Sequence, residues 1–390
     1  MVVDIHPSTH PPLPPTTEDE RLSWLRLLRS RRVGIATFYR LLSEHGSADA
    51  ALAALPAVAA EAGLTDYHVA TEAMAVSEMK AARKARARLI CIGTSEYPAQ
   101  LLDLSDPPPL LWVIGQAPAL TKPMIALAGA RNASSLGLRM ARQMAAELSE
   151  AGYIVVSGLA RGIDAAAHEA SVDRGTVAVM AGGADSIYPA ENAALAQRIP
   201  ETGARISEMA MGHQPQARHF PRRNRLISGL AQALIVVEAA AKSGSLITAR
   251  AALDQGRDVL AVPGHPFDSR AAGGNMLIRD GATLVRSAAD VLEALPPLPA
   301  PVPAQGEFHL AEAAASAPVA PRARRSLREV AALHRDILDR LSPSPVAEDQ
   351  LIRDVHRAAP LVSEGVTQLE LLGRVRRQAG GLLARISGSD

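Results

Sequence analysis

The sequence predicts an α/β fold: an extended Rossmann-like domain with a parallel-type sheet, flanked by a small N-terminal helical (SAM-like) domain and a C-terminal winged-helix domain. Apolar runs of strand length recur between residues 89 and 295, and helical stretches separate them. Strands that are apolar along their whole length are typical of parallel sheets with helices on both faces. A Pro/Ala-rich linker at 296–325 then separates a further group of helices from the sheet domain.

The chain before the sheet divides into two segments. Residues 1–17 are rich in proline and are predicted to be a disordered tail. Residues 18–88 are rich in Ala and Leu at helical spacing and are punctuated by Gly34 and Gly46, which predicts short helices of the SAM or helix-hairpin-helix type. Such modules bind DNA in some proteins and act as spacers in others, so both roles remain open for this domain.

The predicted sheet domain spans residues 89–295. Short apolar runs predict its strands, at Met124–Gly129, Tyr153–Ser157, Thr176–Met180, Ala233–Val237 and Asp258–Val262. The clearest helices between them are Leu136–Glu150 and Ser245–Gln255. Because the carboxyl ends of parallel strands meet at one edge of a sheet, the loops that follow them are expected to converge there and to hold the ligand.

The last segment, residues 326–390, reads as three helices followed by a short terminal hairpin after Gly380 and Gly381, which predicts a winged helix. This fold binds duplex DNA or proteins with comparable ease. Since the segment is not strongly basic, the sequence does not decide whether its partner is DNA or a protein.

Composition excludes several classes of protein. A formal net charge of +1, from 41 Lys and Arg against 40 Asp and Glu, means that any site for a polyanion must be local. The single cysteine, Cys91, excludes an internal disulfide and a cysteine-based zinc cluster. The sequence has no apolar run near the ~20 residues of a membrane span and no signal-peptide pattern, so a cytoplasmic protein is expected. With no paired carboxylates or metal-ligand cluster, we expect neither catalysis nor a metal or other cofactor.

The most unusual local feature is a basic segment. Between Glu208 and Glu238 the sequence has no acidic residue, and this window contains the run RHFPRRNR at 218–225. Guanidinium groups bind phosphate oxygens bidentately, and Phe220 offers a face for base stacking. The alternative is that these arginines only solvate one face of a helix. The position of the run at a strand end of the predicted sheet favours the nucleic-acid interpretation.

Two further turns have features of phosphate binding. The turn Gly129–Ser135 leads into a helix, so its backbone N–H groups, the helix dipole and Arg131 predict an anion site. The turn Lys-Ser-Gly-Ser at 242–245 precedes another helix and adds a second cation. Neither turn is a GxGxxG or Walker A loop, and the second strand ends in Ser-Gly at 157–158, where a dinucleotide enzyme needs an acid. NAD binding is therefore not expected, and the lone His168 is interpreted as structural.

Together these stretches resemble the DNA-processing protein A (DprA, also called Smf) family. The matching segments are GARNASSLG, SGLARGIDAAAHEA, AVMAGGADSIYPAEN, HFPRRNRLISGL, VVEAAAKSGSLITARAALDQGRDVLAVPG and GGNMLIRDGA, in that order over residues 89–295. The resemblance implies a protein that binds single-stranded DNA, protects incoming DNA in natural transformation and loads the RecA recombinase onto it. It also implies a homodimer formed through the Rossmann-like domain, without established catalysis.

The resemblance also implies roles for individual residues. The first turn of the family usually reads Gly-Ser-Arg, and this chain has Gly129-Ala130-Arg131, so the charge is kept and one hydroxyl hydrogen bond, ~1 kcal/mol, is lost. The DNA-binding residues implied are Gly129, Arg131, His219, Phe220, Arg222, Arg223, Arg225, Lys242, Ser243, Gly244 and Ser245.

Two other functions remain open on the sequence. A nucleotide-processing enzyme of the lysine-decarboxylase-like (phosphoribohydrolase) superfamily would share the Rossmann-like sheet. Its mark is a Pro-Gly-Gly-x-Gly-Thr loop followed by a glutamate, and residues 242–250 here contain no glutamate in the comparable place. The other alternative is a protein adaptor that docks through the winged helix and the linker.

Overall fold

The computed structural model describes residues 14–64, 66–297, 327–342, 344–378 and 381–386. Residues 1–13 of the predicted disordered tail and nearly all of the predicted linker, from 298 onwards, lie outside the described residues. Within the described ranges, no helix combines the length and the apolar character that a membrane span requires.

The N-terminal domain is helical, as the sequence predicts, with α1 (Glu18–Arg29), α2 (Ile35–His45), α3 (Ala48–Glu61) and α4 (Glu72–Lys84). Hydroxyl groups start three of these helices, because the side chains of Thr17, Ser47 and Thr71 each accept a backbone N–H of the first turn. Helix α2 ends where Gly46 adopts a left-handed conformation with φ 76°. The domain therefore owes its short helices to the caps and glycines visible in the sequence.

The central domain is built on one mixed sheet. Its strands in chain order are β1 (Ala87–Cys91), β2 (Leu110–Gly115), β3 (Met124–Ala128), β4 (Ile154–Ser157), β5 (Thr176–Val179), β6 (Ala204–Ser207), β7 (Ala233–Val236), β8 (Asp258–Ala261) and β9 (Thr283–Leu284). Across the sheet their order is β1-β2-β6-β5-β4-β3-β7-β8-β9. The five predicted strands are confirmed as β3, β4, β5, β7 and β8, each to within one residue at either end.

The predicted parallel arrangement is confirmed from β3 to β9. Strand β3 pairs in parallel with β4 and β7, and the parallel pairs continue through β5 to β6 on one side and through β8 to β9 on the other. Beyond β6, the pairs β6–β2 and β2–β1 are antiparallel. The apolar-run pattern did not identify β1, β2, β6 or β9, so the sheet is larger and more mixed than predicted.

Helices cover both faces of the sheet, as parallel connections require. They are α5 (Ser135–Glu150), α6 (Ile163–Ser171), α7 (Ala193–Thr202), α8 (His219–Leu230), α9 (Ser245–Asp254), α10 (Ala272–Arg279) and α11 (Ala288–Ala294), with 3-10 turns at Ala99–Asp103, Ala117–Thr121 and Ala190–Asn192. Successive residues of β3 face opposite cores: Ile125 packs in the core that includes Met144 of α5, and Ala126 in the core that includes Leu226 of α8.

The C-terminal domain has the predicted winged-helix fold. It contains α12 (Leu327–Arg340), β10 (Val346–Ala347), α13 (Glu348–Val355), α14 (Ala359–Leu371), β11 (Val375–Arg377) and β12 (Leu382–Arg385). Strand β12 lies between β10 and β11 and pairs antiparallel with both. A core that includes Ile337, Val362 and Leu383 joins the helices to this hairpin.

Candidate nucleic-acid interface

The strand-end loops converge at one edge of the sheet. Strands β3 to β8 are mutually parallel, so the loops that follow all six lie beyond the same edge. Successive connections run outward from β3 to β6 on one side, and the chain then returns to place β7 on the other side of β3. This change of direction beside β3 is the topological switch point at which doubly wound sheets bind ligands.

An aromatic and guanidinium cluster lies at this edge. The guanidinium carbon of Arg131, in the loop after β3, lies 5.2 Å from the ring centroid of Phe220 in the first turn of α8. The ring of Tyr188, in the loop after β5, meets Phe220 edge to face with centroids 5.9 Å apart. Arg131 is exposed, and Tyr188 keeps 51% of its surface accessible. Two loops and the first turn of α8 thus place a charged group and two rings on one surface that solvent can reach.

Arg223 is a buried residue that lies beside the Phe220 ring. It is 6% exposed, its guanidinium carbon lies 5.9 Å from the Phe220 ring, and its Nη1 donates to the carbonyl of Gly158 at 2.7 Å and to the carbonyl of Val179. A Cβ at Gly158 would lie 2.5 Å from the guanidinium, so only glycine leaves room for this contact. Burial lowers the pKa of Arg223 to about 10, with Asp164 opposing the shift, so the group stays charged at neutral pH. Through these hydrogen bonds, Arg223 connects α8 to the carboxyl ends of β4 and β5.

Arg222 and Arg225 lie on the opposite side of α8 and share one carboxylate. Nε of Arg222 lies 2.9 Å from Oε1 of Glu208, and Arg225 pairs with the other oxygen of Glu208. Arg225 also donates to the carbonyl of Asp106 at 2.8 Å. Burial acts to raise the pKa of Glu208, but Arg225 and Arg222 outweigh it and hold that pKa below its ordinary value. The side chain of Arg225 is only 7% exposed against 50% for Arg222, so the pair divides into one internal and one accessible cation.

The turn before α5 differs from its sequence interpretation as an open anion site. The chain supplies its own anion there, because the carboxylate of Glu238 accepts the backbone N–H of Ser134 at 2.7 Å. The hydroxyl of Ser134 in turn accepts the N–H of Gly137 at 2.9 Å. At Gly129 a Cβ would lie 2.5 Å from Cγ1 of Ile163, so this glycine is required for close packing of the turn on α6. Arg131 therefore supplies the accessible positive charge of the turn.

The loop before α9 presents Lys242 and Gly244 to solvent, and Ser243 is half-buried. The hydroxyl groups of Ser243 and Ser245 lie 2.7 Å apart, and Ser245 is buried. The helix begins after Gly244, which provides no side-chain cap, and the turn binds its own first N–H groups. The N–H of Ser245 donates to the hydroxyl of Ser243 at 3.3 Å, and the N–H groups of Leu246 and Ile247 donate to the carbonyls of Ser243 and Gly244, both at 3.1 Å.

Two histidines named in the sequence interpretation are internal. His219 is 7% exposed, and its Nδ1 accepts the backbone N–H of Gln216 at 3.1 Å. Burial and the neighbouring His213 lower the pKa of His219. His168 is fully buried with Nδ1 2.8 Å from the hydroxyl of Thr176, in agreement with a structural role. Neither ring lies where it can contact a surface ligand without rearrangement.

Sequence reasoning missed several residues that the fold brings to this edge. Tyr188, Glu208 and Glu238 are described above, and Phe267 in the loop after β8 is 96% exposed, with its ring 5.5 Å from that of His265. The scarcity of aromatic residues, 3% of the chain, is the signal that could have identified Tyr188 and Phe267. No group of three or more His, Cys, Asp or Glu side chains within the described ranges is arranged to hold a metal ion.

Comparison with known proteins identifies the architecture. A family model for DNA recombination-mediator protein A matches residues 88–296, a DprA-like N-terminal HHH domain matches 18–81, and a DprA winged helix domain matches 320–381. DNA processing protein DprA of Bacillus subtilis (strain 168) is 44% identical over 210 residues, which cover 53% of this chain and 71% of that protein. Protein Smf of Escherichia coli (strain K12) is 43% identical over 210 residues, which cover 53% of this chain and 56% of that protein.

Two solved structures are similar as well. The X-ray structure of DNA processing protein A from Streptococcus pneumoniae has a TM-score of 0.54 at 38% identity, over 57% of this chain and 77% of that one. DNA processing protein A from Helicobacter pylori, whose structure is described for its single-stranded DNA binding mode, has a TM-score of 0.50 at 27% identity, over 54% of this chain and 96% of that one. With its three domains matched in order, the chain belongs to the DNA recombination-mediator protein A family, the DprA or Smf proteins.

Proposed function

We propose that this protein binds single-stranded DNA at the strand-end edge of its sheet. The observation that carries the proposal is the exposed Arg131 guanidinium over the Phe220 ring, with Tyr188 at its side. An unpaired base stacks on such an aromatic platform, while neighbouring phosphates pair with the guanidinium groups. The single-stranded DNA binding described for the Helicobacter pylori protein supports the same ligand.

Exposure divides the predicted site residues into contact and positioning groups. The contact group consists of accessible or half-buried residues that would touch the DNA strand: Arg131, Phe220, Arg222, Lys242, Ser243 and Gly244. The positioning group, which shapes the loops and the start of α8 and α9, consists of Gly129, His219, Arg223, Arg225 and Ser245.

This division gives the binding a defined salt dependence and selectivity. The cations in contact with phosphates are Arg131, Arg222 and Lys242, and each phosphate contact with a single strand contributes about −0.7 to the slope of log affinity against log salt. We therefore expect a slope of roughly −2. Bases in a duplex are already stacked and paired, so the Phe220 platform favours single strands over duplex.

Fluorescence anisotropy tests the proposal directly. Wild type is titrated with a labelled oligothymidine and with a duplex of the same length at two salt concentrations, beside Arg131→Ala. The matched control is Arg174→Ala, because Arg174 is similarly exposed but precedes β5 and so lies at the opposite edge of the sheet. Salt-sensitive binding selective for the single strand, reduced by Arg131→Ala and not by Arg174→Ala, is expected. Equal binding to both DNA forms would place the DNA site elsewhere.

The finer role proposed is that of a recombination mediator, in which the protein protects incoming DNA, loads the RecA recombinase onto the bound strand and works as a homodimer through its Rossmann-like domain. Family membership supports this role. RecA filament assembly on a coated single strand, followed with and without the protein, measures the loading. Analytical ultracentrifugation of wild type measures the oligomeric state, and a monomer at micromolar concentration would contradict the homodimer.

The nucleotide-enzyme alternative has less support from the site. Its natural candidate acid, Glu238, accepts the N–H of Ser134 and lies 3.8 Å from Arg270, contacts that stabilise it as a structural anion. We expect no release of adenine when purified protein is incubated with AMP. Adenine release that Glu238→Ala abolishes would establish the enzyme instead.

A further inference from the structure

We propose that the third helix of the winged-helix domain, α14, is a protein-docking surface that clamps onto the N-terminal helical domain of the same chain, and that it does not read duplex DNA. Helix-turn-helix proteins insert the corresponding helix into the major groove, with one face open to the bases. In this protein the surface that would enter the groove is already covered.

The burial of α14 shows that it has partners on two sides. Val362, Val366 and Leu369 face the core of the winged helix. At about 100° per residue, Thr367 and Leu371 lie on roughly the opposite side of the helix. They are nevertheless 3% and 0% exposed, and Leu371 belongs to the core that contains the N-terminal helices. A recognition helix available to DNA would leave this second side open to solvent.

Polar contacts join α2 of the N-terminal domain to α13 and α14 of the winged helix, and we call this contact region the junction. Nη2 of Arg40, on α2, lies 3.2 Å from Oε1 of Glu348 at the start of α13, and Nη1 of Arg40 donates to the carbonyl of Ser363 on α14. The hydroxyl of Thr37 donates to Glu370 of α14 at 3.3 Å. Arg40 is only 8% exposed, so its charge depends on these acceptors for compensation.

The carboxyl end of α14 is also bound by the N-terminal domain. Arg32 donates to the backbone carbonyl of Leu371, the last residue of the helix. A cation at this end is favoured by the unpaired carbonyls and by the helix dipole. Within the winged helix, Arg377 of β11 bridges Glu348 and Glu370 at 2.7 and 3.0 Å and holds both carboxylates toward the junction.

The charge of α14 suits a protein partner. Over Ala359–Leu371 the helix contains Glu364 and Glu370 and neither lysine nor arginine. Acidic residues on a helix in the major groove would face phosphates of like charge. Here Glu370 accepts the hydroxyl of Thr37, and Glu348 pairs with Arg40 of α2. Burial acts to raise the pKa of Glu348, and Arg377 and Arg40 outweigh it, so the carboxylate stays ionised in the junction.

Cleavage of the linker in the full chain tests the clamp. A protease site is inserted between residues 298 and 326, the purified protein is cut, and size-exclusion chromatography with titration calorimetry measures whether the two fragments remain associated. We expect the wild-type fragments to stay together at micromolar concentration. Arg40→Glu is expected to weaken their association at least tenfold, and Arg31→Glu, an exposed charge reversal on the same domain, is expected to leave it unchanged.

A second variant covers the case in which Arg40→Glu does not fold. Arg32 is exposed, so Arg32→Ala removes its contact with the Leu371 carbonyl without opening a core, and it is expected to weaken association several-fold. Wild-type fragments that separate would refute the clamp, as would equal association of the Arg32→Ala and Arg31→Glu proteins. Tight binding of duplex DNA by wild type that Glu370→Lys strengthens would assign α14 to DNA instead.

Discussion

Arg131 lies in the loop after β3 and Phe220 in the first turn of α8, and the fold brings the guanidinium carbon of Arg131 to 5.2 Å from the ring centroid of Phe220. The arrangement stabilises the guanidinium group over a ring face while leaving its N–H groups accessible. The ring of Phe220 also contacts Tyr188 edge to face. The proposed phosphate contact and the proposed stacking surface therefore lie side by side.

Replacement of Arg131 tests the proposed phosphate contact. Arg131→Ala is expected to weaken binding of oligothymidine more than tenfold at moderate salt, because it removes an exposed phosphate contact worth about 1–3 kcal/mol and frees the Phe220 ring to move. Arg131→Lys is expected to give intermediate affinity, since an ammonium keeps the charge but lacks the planar, bidentate geometry. Anisotropy titration measures both variants, and equal affinity of Arg131→Lys and Arg131→Ala would argue against a role for the charge.

Replacement of Phe220 tests the proposed stacking surface. Phe220→Ala is expected to cost about 1–3 kcal/mol of binding free energy, the usual loss when a base loses its aromatic partner. Phe220→Trp is expected to retain affinity because the larger ring keeps a stacking face. Thermal melting of each variant serves as the control for folding. Unchanged affinity in a well-folded Phe220→Ala protein would assign the ring to packing with Tyr188 alone.

Arg222 and Arg225 are expected to respond differently to the same substitution. Arg225→Ala leaves the buried Glu208 with one partner and is expected to destabilise the protein by about 3–5 kcal/mol, as loss of one member of a buried ion pair does. Arg222→Ala removes a half-exposed side chain and is expected to weaken DNA binding with little change in stability. Urea denaturation and anisotropy separate the two effects. A folded, fully stable Arg225→Ala protein that fails to bind DNA would make Arg225 a contact residue.

The sequence predicted five strands that each contain at least three consecutive apolar residues. Strands β3, β4 and β7 lie in the middle of the sheet with helices on both faces, so burial imposes runs of Ala, Val, Leu and Ile. Strand β6 was not predicted, because the polar residues Arg205 and Ser207 interrupt its four-residue sequence, although both are buried. Strand β1 was not predicted because Arg88 near its start interrupts its apolar residues. Strand β2, with the sequence LLWVIG, does have a continuous apolar run and was not predicted despite it.

The sequence predicted where the candidate site lies, at the strand-end edge of the sheet, but it did not predict which groups its side chains contact. Helical geometry alone puts Phe220 and Arg223 on one side of α8, and Arg222 and Arg225 on another, because residues three apart lie on the same face. What the sequence could not supply is the acceptor for each guanidinium. Arg225 pairs with Glu208 seventeen positions away and with the Asp106 carbonyl 119 positions away, contacts that exist only after the sheet has formed.

The buried His168 gives the stability of the domain a predictable pH dependence. Burial, together with the charge of Arg223, lowers the pKa of His168 to about 3, whereas a histidine in the unfolded chain has its ordinary pKa of 6.5. Between these values the unfolded chain binds a proton that the folded chain does not, so stability is complete above pH 6.5 and falls as the pH is lowered. From pH 7 to pH 5 the loss from this residue is about 2 kcal/mol.

Comparison with a variant isolates this contribution from other acid-sensitive groups. Wild type and His168→Gln are unfolded with urea at pH 7 and at pH 5, and the difference in the free energy of unfolding between the two pH values is compared. Because glutamine does not titrate, the variant is expected to lose about 2 kcal/mol less than wild type on acidification. It is also expected to bind DNA normally at pH 7, because residue 168 is fully buried. The same acid loss in both proteins would mean that His168 is not kept neutral by its burial.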